Sequence, residues 1–278
     1  QCARLAAPAA VILRRLFGRA RAPGANIPQA LWEATLAGLP FVAPRNPTEL
    51  ADLRELAARF LADKRFHGAH GLEVTDAMAL SVAVQACLPL ARMGSSPAAR
   101  LGWYDDFVTI VLHPGEMRAR RERPDWDGVV HEWQEELLGE AMEGGPVTLA
   151  WSEVARAAEN AALGLNVVVH EFCHKIDLRD GKADGCPPLP ARFAGHTHAR
   201  AAREHWLTVL DSAYQHHREA VIRAERFGAD PPWLDAYGAH SPGEFFPVCC
   251  EAYFVNRPVF AAQFPALTTL FDAFFGPF

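Results

Sequence analysis

The apolar positions of this chain recur mostly with the period of helices, and only in the middle with the β-branched runs of strands. Residues 29–38 and 48–64 place apolar groups at helical spacing, with Pro and Asn punctuating between them. Residues 74–87, VTDAMALSVAVQAC, predict a buried helix with Thr75 or Asp76 near its cap. The character then changes. Residues 107–112, FVTIVL, lead into His113-Pro114, and residues 146–151, PVTLAW, follow the Gly144-Gly145 turn, so both predict strands. These two are the expected sheet elements. A long helical pattern covers 154–179, a loop 180–190, and helices return at 199–226, 242–256 and 259–275. The expectation is a mainly helical α+β protein with a small sheet. A tail and linker cover 1–26, and one domain covers 27–278, with a helical part over 27–100 and a second part over 101–278.

Composition narrows the class. With 278 residues, 50% hydrophobic and 22% charged, the chain can bury a substantial core and is not disordered. A net charge of −6 gives no basic footprint for nucleic acid, although Arg14, Arg15, Arg19 and Arg21 cluster locally. The cysteines Cys2, Cys87, Cys173, Cys186, Cys249 and Cys250 show no CxxC pairing, and the chain is neither small nor cysteine-dense. They read as reduced, mostly buried thiols of a cytoplasmic protein. The apolar stretch at 3–17 is interrupted by Arg14 and Arg15 and is too short to span a bilayer, so it reads as a surface tail.

Residues 170–174 read His-Glu-Phe-Cys-His, an HExxH in a segment free of helix breakers. On a helix, positions four apart share a face, so His170 and His174 can converge on one ion. Two imidazoles leave a zinc ion room for a third ligand and a water. Glu171, one residue on, is turned toward that water and can act as its general base, while the metal acidifies the water and polarises a carbonyl. The apolar run Val167-Val168-Val169 before the motif marks the helix as buried, where two histidines and a glutamate need partners. Cys173 faces away from the metal and serves packing.

The third ligand must come from downstream, because His174 is followed by Lys-Ile-Asp-Leu-Arg-Asp rather than by a nearby Gly and His. Ser241-Pro242-Gly243-Glu244 has the form of a capping box, which offers Glu244 either as ligand or as helix cap. Glu251, seven residues on, lies on about the same helical face and is its rival. Spacing alone leaves both open.

Ordered motifs then carry a resemblance: IPQALW at 27–32, LPF at 39–41, GLEVTDAM at 71–78, QACLPL at 85–90, DGVVHEW at 127–133, GPVTLAW at 145–151, NVVVHEFCHKIDLRDGKADGCPPLP at 166–190 and DAYGAHSPGEFF at 235–246. Over about 27–260 the chain resembles the Mlc titration factor A, or DgsA anti-repressor, family of bacterial zinc peptidases. The resemblance implies a zincin-like catalytic core over 101–278 and a gluzincin-like site with one zinc ion on His170, His174 and Glu244. It also implies Tyr237 as a second catalytic side chain, whose phenol could donate a hydrogen bond to an oxyanion. The Tyr-x6-Glu-Phe-Phe arrangement is similar to that of the anthrax lethal factor catalytic domain. The implied activity is aminopeptidase-like on short peptides. The implied partner is a Mlc-type transcriptional repressor of sugar phosphotransferase genes; a non-catalytic protein that sequesters such a repressor, its zinc mainly structural, is the alternative. Pro247 departs from the family pattern and is expected to kink the helix that presents Glu244.

Other side chains fill in the picture. Asp177 reads as a partner that orients a ligand imidazole or as a solvated aspartate, and Glu251 as a possible orienting partner. His131, Glu132 and Trp133 read as structural or as lining the cleft. His196, His198, His216 and His217 lack ligand spacing and read as a solvated face.

Overall fold

The computed structural model describes residues 26–115, 117–124, 130–137, 139–141 and 144–277. The tail over 1–25, with Cys2 and its arginines, lies outside the described residues, as do the side chains of His131, Glu132 and Trp133. Helix α1 (Gln29–Ala37) packs in a helical layer with α2 (Pro47–Asp63) and α3 (Asp76–Cys87). Each start follows from its sequence. Asn46 and Glu49 form a reciprocal capping box before α2, with Pro47 at the first helical position. Thr75 caps α3 by accepting from the Met78 N–H. A short helix, α4 (Pro97–Leu101), leads into the sheet region.

The sheet holds more strands than the two that periodicity marks. Strand β1 (Arg65–Gly68) pairs in parallel with β2 (Thr109–His113), and β2 with β6 (Val147–Ala150). Strand β5 (Gly139–Ala141) adds an antiparallel edge beside β6, for an order β1-β2-β6-β5. Strands β3 (Met117–Pro124) and β4 (Val130–Leu137) form a separate antiparallel pair. Strand β1 escapes a periodicity reading because Phe66 is its one buried residue, so no alternation shows.

The expected helix over 154–179 is broken instead. It becomes α5 (Trp151–Ala155), α6 (Ala157–Asn160), a turn ended by left-handed Gly164, and α7 (Val167–Asp177). Asn166 starts α7 anew by accepting from the Val169 N–H. The long α8 (Ala199–Phe227) and α9 (Pro242–Val255) match their expected ranges. The last expected helix divides at Pro265 into α10 (Arg257–Gln263) and α11 (Pro265–Phe275), because the residue before proline avoids helical geometry.

Helix α7 is buried on both sides. Phe172, about 200° around from His170 at helical pitch, packs on Phe60, Tyr104 and Phe107 with ring centroids 5.0 to 5.9 Å apart. Lys175 is fully buried, donates to the Gly145 carbonyl at 2.9 Å and pairs with Asp106 at 3.4 Å, which ties α7 to the turn before β6. Cys87, Cys173, Cys186, Cys249 and Cys250 are free and buried, as expected. No helix among the described residues is long and apolar enough to cross a membrane.

The loop after α7 sets the start of α9. Gly185 has φ +79°, and a Cβ there would meet the Pro242 carbonyl at 2.6 Å, so the loop backbone rests directly on the first turn of α9. Its carbonyl accepts from the Trp206 indole at 2.7 Å, and its N–H donates to Asp177 at 2.8 Å. Asp177 is therefore neither a solvated aspartate nor a partner of a ligand imidazole; it is a buried loop anchor. Burial raises its pKa to about 7, with Asp184 and Asp180 adding to the rise and the Gly185 hydrogen bond and Arg203 opposing it. The raised value means that the folded state holds a proton the unfolded chain has released. The fold accordingly loses stability as pH rises from about 4 toward 7. Asp177→Asn keeps an acceptor for Gly185 without the buried charge. Its expected gain over the wild type is about 1.4 kcal/mol for each pKa unit raised, full above pH 7 and absent near pH 4. Urea unfolding at both pH values checks this; a variant less stable at pH 8 contradicts it.

Candidate metal centre

Helices α7 and α9 pack against each other and bring four polar side chains together. His170 and His174 project from one face of α7, as their spacing demands. Their Nε2 atoms stand 3.1 Å apart. The Glu244 Oε2 lies 3.1 Å from His174 Nε2 and 3.4 Å from His170 Nε2. These three residues form a group able to hold a cation, with ligand atoms all within 4.8 Å of one another. Ser241 caps α9 by accepting from the Glu244 N–H at 3.2 Å. The Glu244 carboxylate points to the imidazoles. Helix α9 continues through Pro247, and Glu244 keeps its place in the cluster.

Glu251 occupies a different position from its rival. Its Oε1 sits 2.7 Å from His170 Nδ1, and its other oxygen accepts from the Asn166 N–H. One carboxylate thus binds both a ring nitrogen and the residue that caps α7. Asn166 in turn donates from Nδ2 to the buried Gln85 at 2.8 Å. Asn166 and Gln85 were not singled out by the motif. The polar residue just before the apolar VVV run is a capping signal that could have pointed to Asn166.

The charges are tightly linked. Burial would lower the pKa of His170, but the charge of Glu251 and hydrogen bonds to Glu244 and Glu251 raise it well above the ordinary value. For His174 burial prevails and the pKa falls. Burial would raise Glu244, yet the hydrogen bonds from both histidines hold it well below the usual carboxylate range. Positive charge is thus favoured on His170 and disfavoured on His174.

Glu171 is 5% exposed and lies against β5, where a side chain at Gly139 would collide with its carboxylate. Tyr237 stands on a turn at 236–239, where Asp235 accepts from its N–H at 3.0 Å, and its ring centroid is 6.0 Å from that of His170. Glu171, Tyr237 and His170 line one pocket of about 220 Å3, together with Gly139, Glu153, Asn160, Leu165, Val167, Asp235 and Glu251. Of the other histidines, His198 and His216 are exposed, but His217 is buried, bonded at Nε2 to the Asp235 carbonyl at 3.0 Å and stacked on Phe245. His217 therefore departs from the solvated face expected of it, and supports the turn that carries Tyr237.

A model of the glucose-regulated metallo-peptidase M90 family matches residues 14–276, reaching into the segment read as a tail. The chain is 34% identical to Mlc titration factor A of Klebsiella pneumoniae (strain 342) over 88% of this chain and 84% of that protein. It is 31% identical to the Mlc titration factor A of Salmonella arizonae, over 88% of this chain and 90% of that protein. With that of Enterobacter sp. (strain 638) it shares 31% identity over 91% and 87%. An HExxH helix that meets a glutamate from α9, in a chain matched along nearly its whole length, places this protein in the glucose-regulated metallo-peptidase M90 family.

Proposed function

We propose that this chain is a zinc-dependent peptidase, aminopeptidase-like on short peptides, built as one zincin-like domain and working in the cytoplasm. The observation that carries the reading is the spacing of three ligand atoms. A tetrahedral ion with ligands at about 2.0–2.1 Å has ligand atoms about 3.3 Å apart, and the separations here are 3.1, 3.1 and 3.4 Å. His170, His174 and Glu244 would hold the ion. The pocket beside them is small, which suits a short peptide better than a folded chain.

When bound, zinc supplies Lewis acidity to an attacking water and to the scissile carbonyl. Glu171 takes a proton from the attacking water as its oxygen forms a bond to the carbonyl carbon, and returns it to the nitrogen as the C–N bond breaks. The Tyr237 phenol donates a hydrogen bond to the carbonyl oxygen as it gains charge. Glu251 accepts from the Nδ1–H of His170 and so fixes the tautomer that points Nε2 at the ion.

A second reading rests on the relatives, which are named Mlc titration factor A. This chain would then also bind a Mlc-type repressor of sugar phosphotransferase genes. The alternative is a purely non-catalytic role, with zinc serving structure. Against it, the cluster among the described residues offers three ligands, whereas structural zinc sites are held by four protein ligands.

Elemental analysis of never-chelated protein is expected to find one zinc per chain, and a chelator is expected to stop hydrolysis. Glu171→Gln is expected to keep the metal and cut kcat about 10²–10⁴-fold, while repressor binding persists. Full hydrolysis by this variant, or metal-loaded wild type that cleaves no peptide, defeats the enzymatic reading. Glu251→Gln is expected to weaken zinc affinity about 10–100-fold, measured by competition with a chromogenic chelator. Unchanged affinity shows that the Nδ1 contact does not orient His170.

A further inference from the structure

The pocket beside His170 is made where the long helical pattern breaks. Glu153 stands in α5, Asn160 ends α6, and Leu165 and Val167 flank the restart at Asn166. All four line the pocket, as do Glu171 and Gly139 of β5. The lining is largely apolar at Leu165 and Val167, with carboxylates at Glu153, Glu171, Asp235 and Glu251, and it includes no lysine or arginine among the described residues.

These carboxylates are not equivalent. Glu251 serves His170 and Asn166, Asp235 accepts from the Tyr237 N–H, and Glu171 stands beside the cation cluster. Glu153 has weaker company. Its Oε2 accepts from Asn160 at 3.1 Å, and its Oε1 lies 3.6 Å from an Arg156 side chain that is 57% exposed, while its own side chain is 15% exposed. An exposed guanidinium at that distance compensates little, since water and salt screen it. A carboxylate at the wall of a mainly apolar pocket of about 220 Å3 matches a long aliphatic side chain that ends in a cation.

The reaction decides which substrate residue enters. Glu171 must deliver its proton to the nitrogen that leaves, so the substrate beyond that nitrogen passes Glu171. The pocket bounded by Glu171 then receives the first residue on the leaving side. Resting on the peptidase reading above, we infer that the pocket selects a lysine or arginine immediately after the cleaved bond, with Glu153 as its specificity-determining partner.

Peptides Ala-Xaa-Ala-Ala, with Xaa as Lys, Arg, Leu or Glu, share one free amino terminus and differ only in the residue tested. The series Xaa-Ala-Ala-Ala places the same variation before the bond. With the zinc-loaded full chain and products assigned by mass spectrometry, Lys and Arg in the first series are expected to exceed Leu about tenfold in kcat/KM, with Glu the poorest. Glu153→Gln is expected to reduce the Lys-over-Leu ratio about fivefold, through KM rather than kcat, with Glu153→Asp retaining part of it. Glu153→Lys is expected to invert the order of Lys and Glu. Equal cleavage of the first series, a charge preference confined to the second, or a uniform loss on all peptides in Glu153→Gln overturns the assignment while leaving the peptidase reading intact. Cleavage of no peptide by the zinc-loaded wild type overturns both.

Discussion

The imidazole of His170 is held between two carboxylates, and the hydrogen bond at its Nδ1 decides what its other nitrogen can do. Glu251 lies 2.7 Å from Nδ1, while Nε2 faces His174 and Glu244. The same carboxylate accepts from the Asn166 N–H, and Asn166 caps α7 and donates to Gln85. Helix start and ring orientation are thereby linked by one connected set of bonds. Buried groups of this kind are costly unless each has a partner. Here the polar chain runs from α3 through the start of α7 to α9, so the ligand geometry is linked to the packing of three helices.

The supports of that chain come from opposite directions. Behind α7, Phe172 and its aromatic neighbours fix the helix from its apolar side, and Lys175 ties it to the Gly145 turn. Ahead of it, the loop at 180–190 presses Gly185 against the first turn of α9, where Glu244 stands one residue past Gly243. Asp177 links the end of α7 to that loop. The histidines and Glu244 are thus placed by elements that contact one another through buried backbone, which suits a site needing ligand positions held to fractions of an ångström.

Much of this was legible in the residues. The helical ranges at α2, α3, α8 and α9 follow from period and caps, and the four-residue spacing of His170 and His174 is sufficient to put both on one face. What escaped was non-local. Strand β1 buries only Phe66, and its membership of the sheet comes from pairing with β2 rather than from its own pattern. The break at 156–166 hides in a sequence that keeps helical spacing across Gly164. Asp177 looks like any aspartate at a helix end; only the fold of the following loop buries it. Between Glu244 and Glu251, spacing could not choose, because seven residues on a helix return to almost the same face. The structure uses both. Two turns apart, they reach opposite nitrogens of the same ring.

A metal held by this cluster would be coupled to folding. Folding gathers Glu171, Glu244, Glu251 and Asp235 around two imidazoles, and burial removes much of the water that would have screened them. Without a cation, positive charge can come only from protons: Glu251 and Glu244 drive the pKa of His170 up, and the histidines in turn keep Glu244 ionised. A divalent ion meets the same need without that proton, and it must displace the proton from the Nε2 it binds. Since the unfolded chain lacks this convergence, the free energy of binding a metal would add to the stability of the fold by mass action. Both pKa shifts favour the folded state, so in the metal-free protein the proton on His170 and the ionised Glu244 support each other, and a divalent ion would replace that pairing.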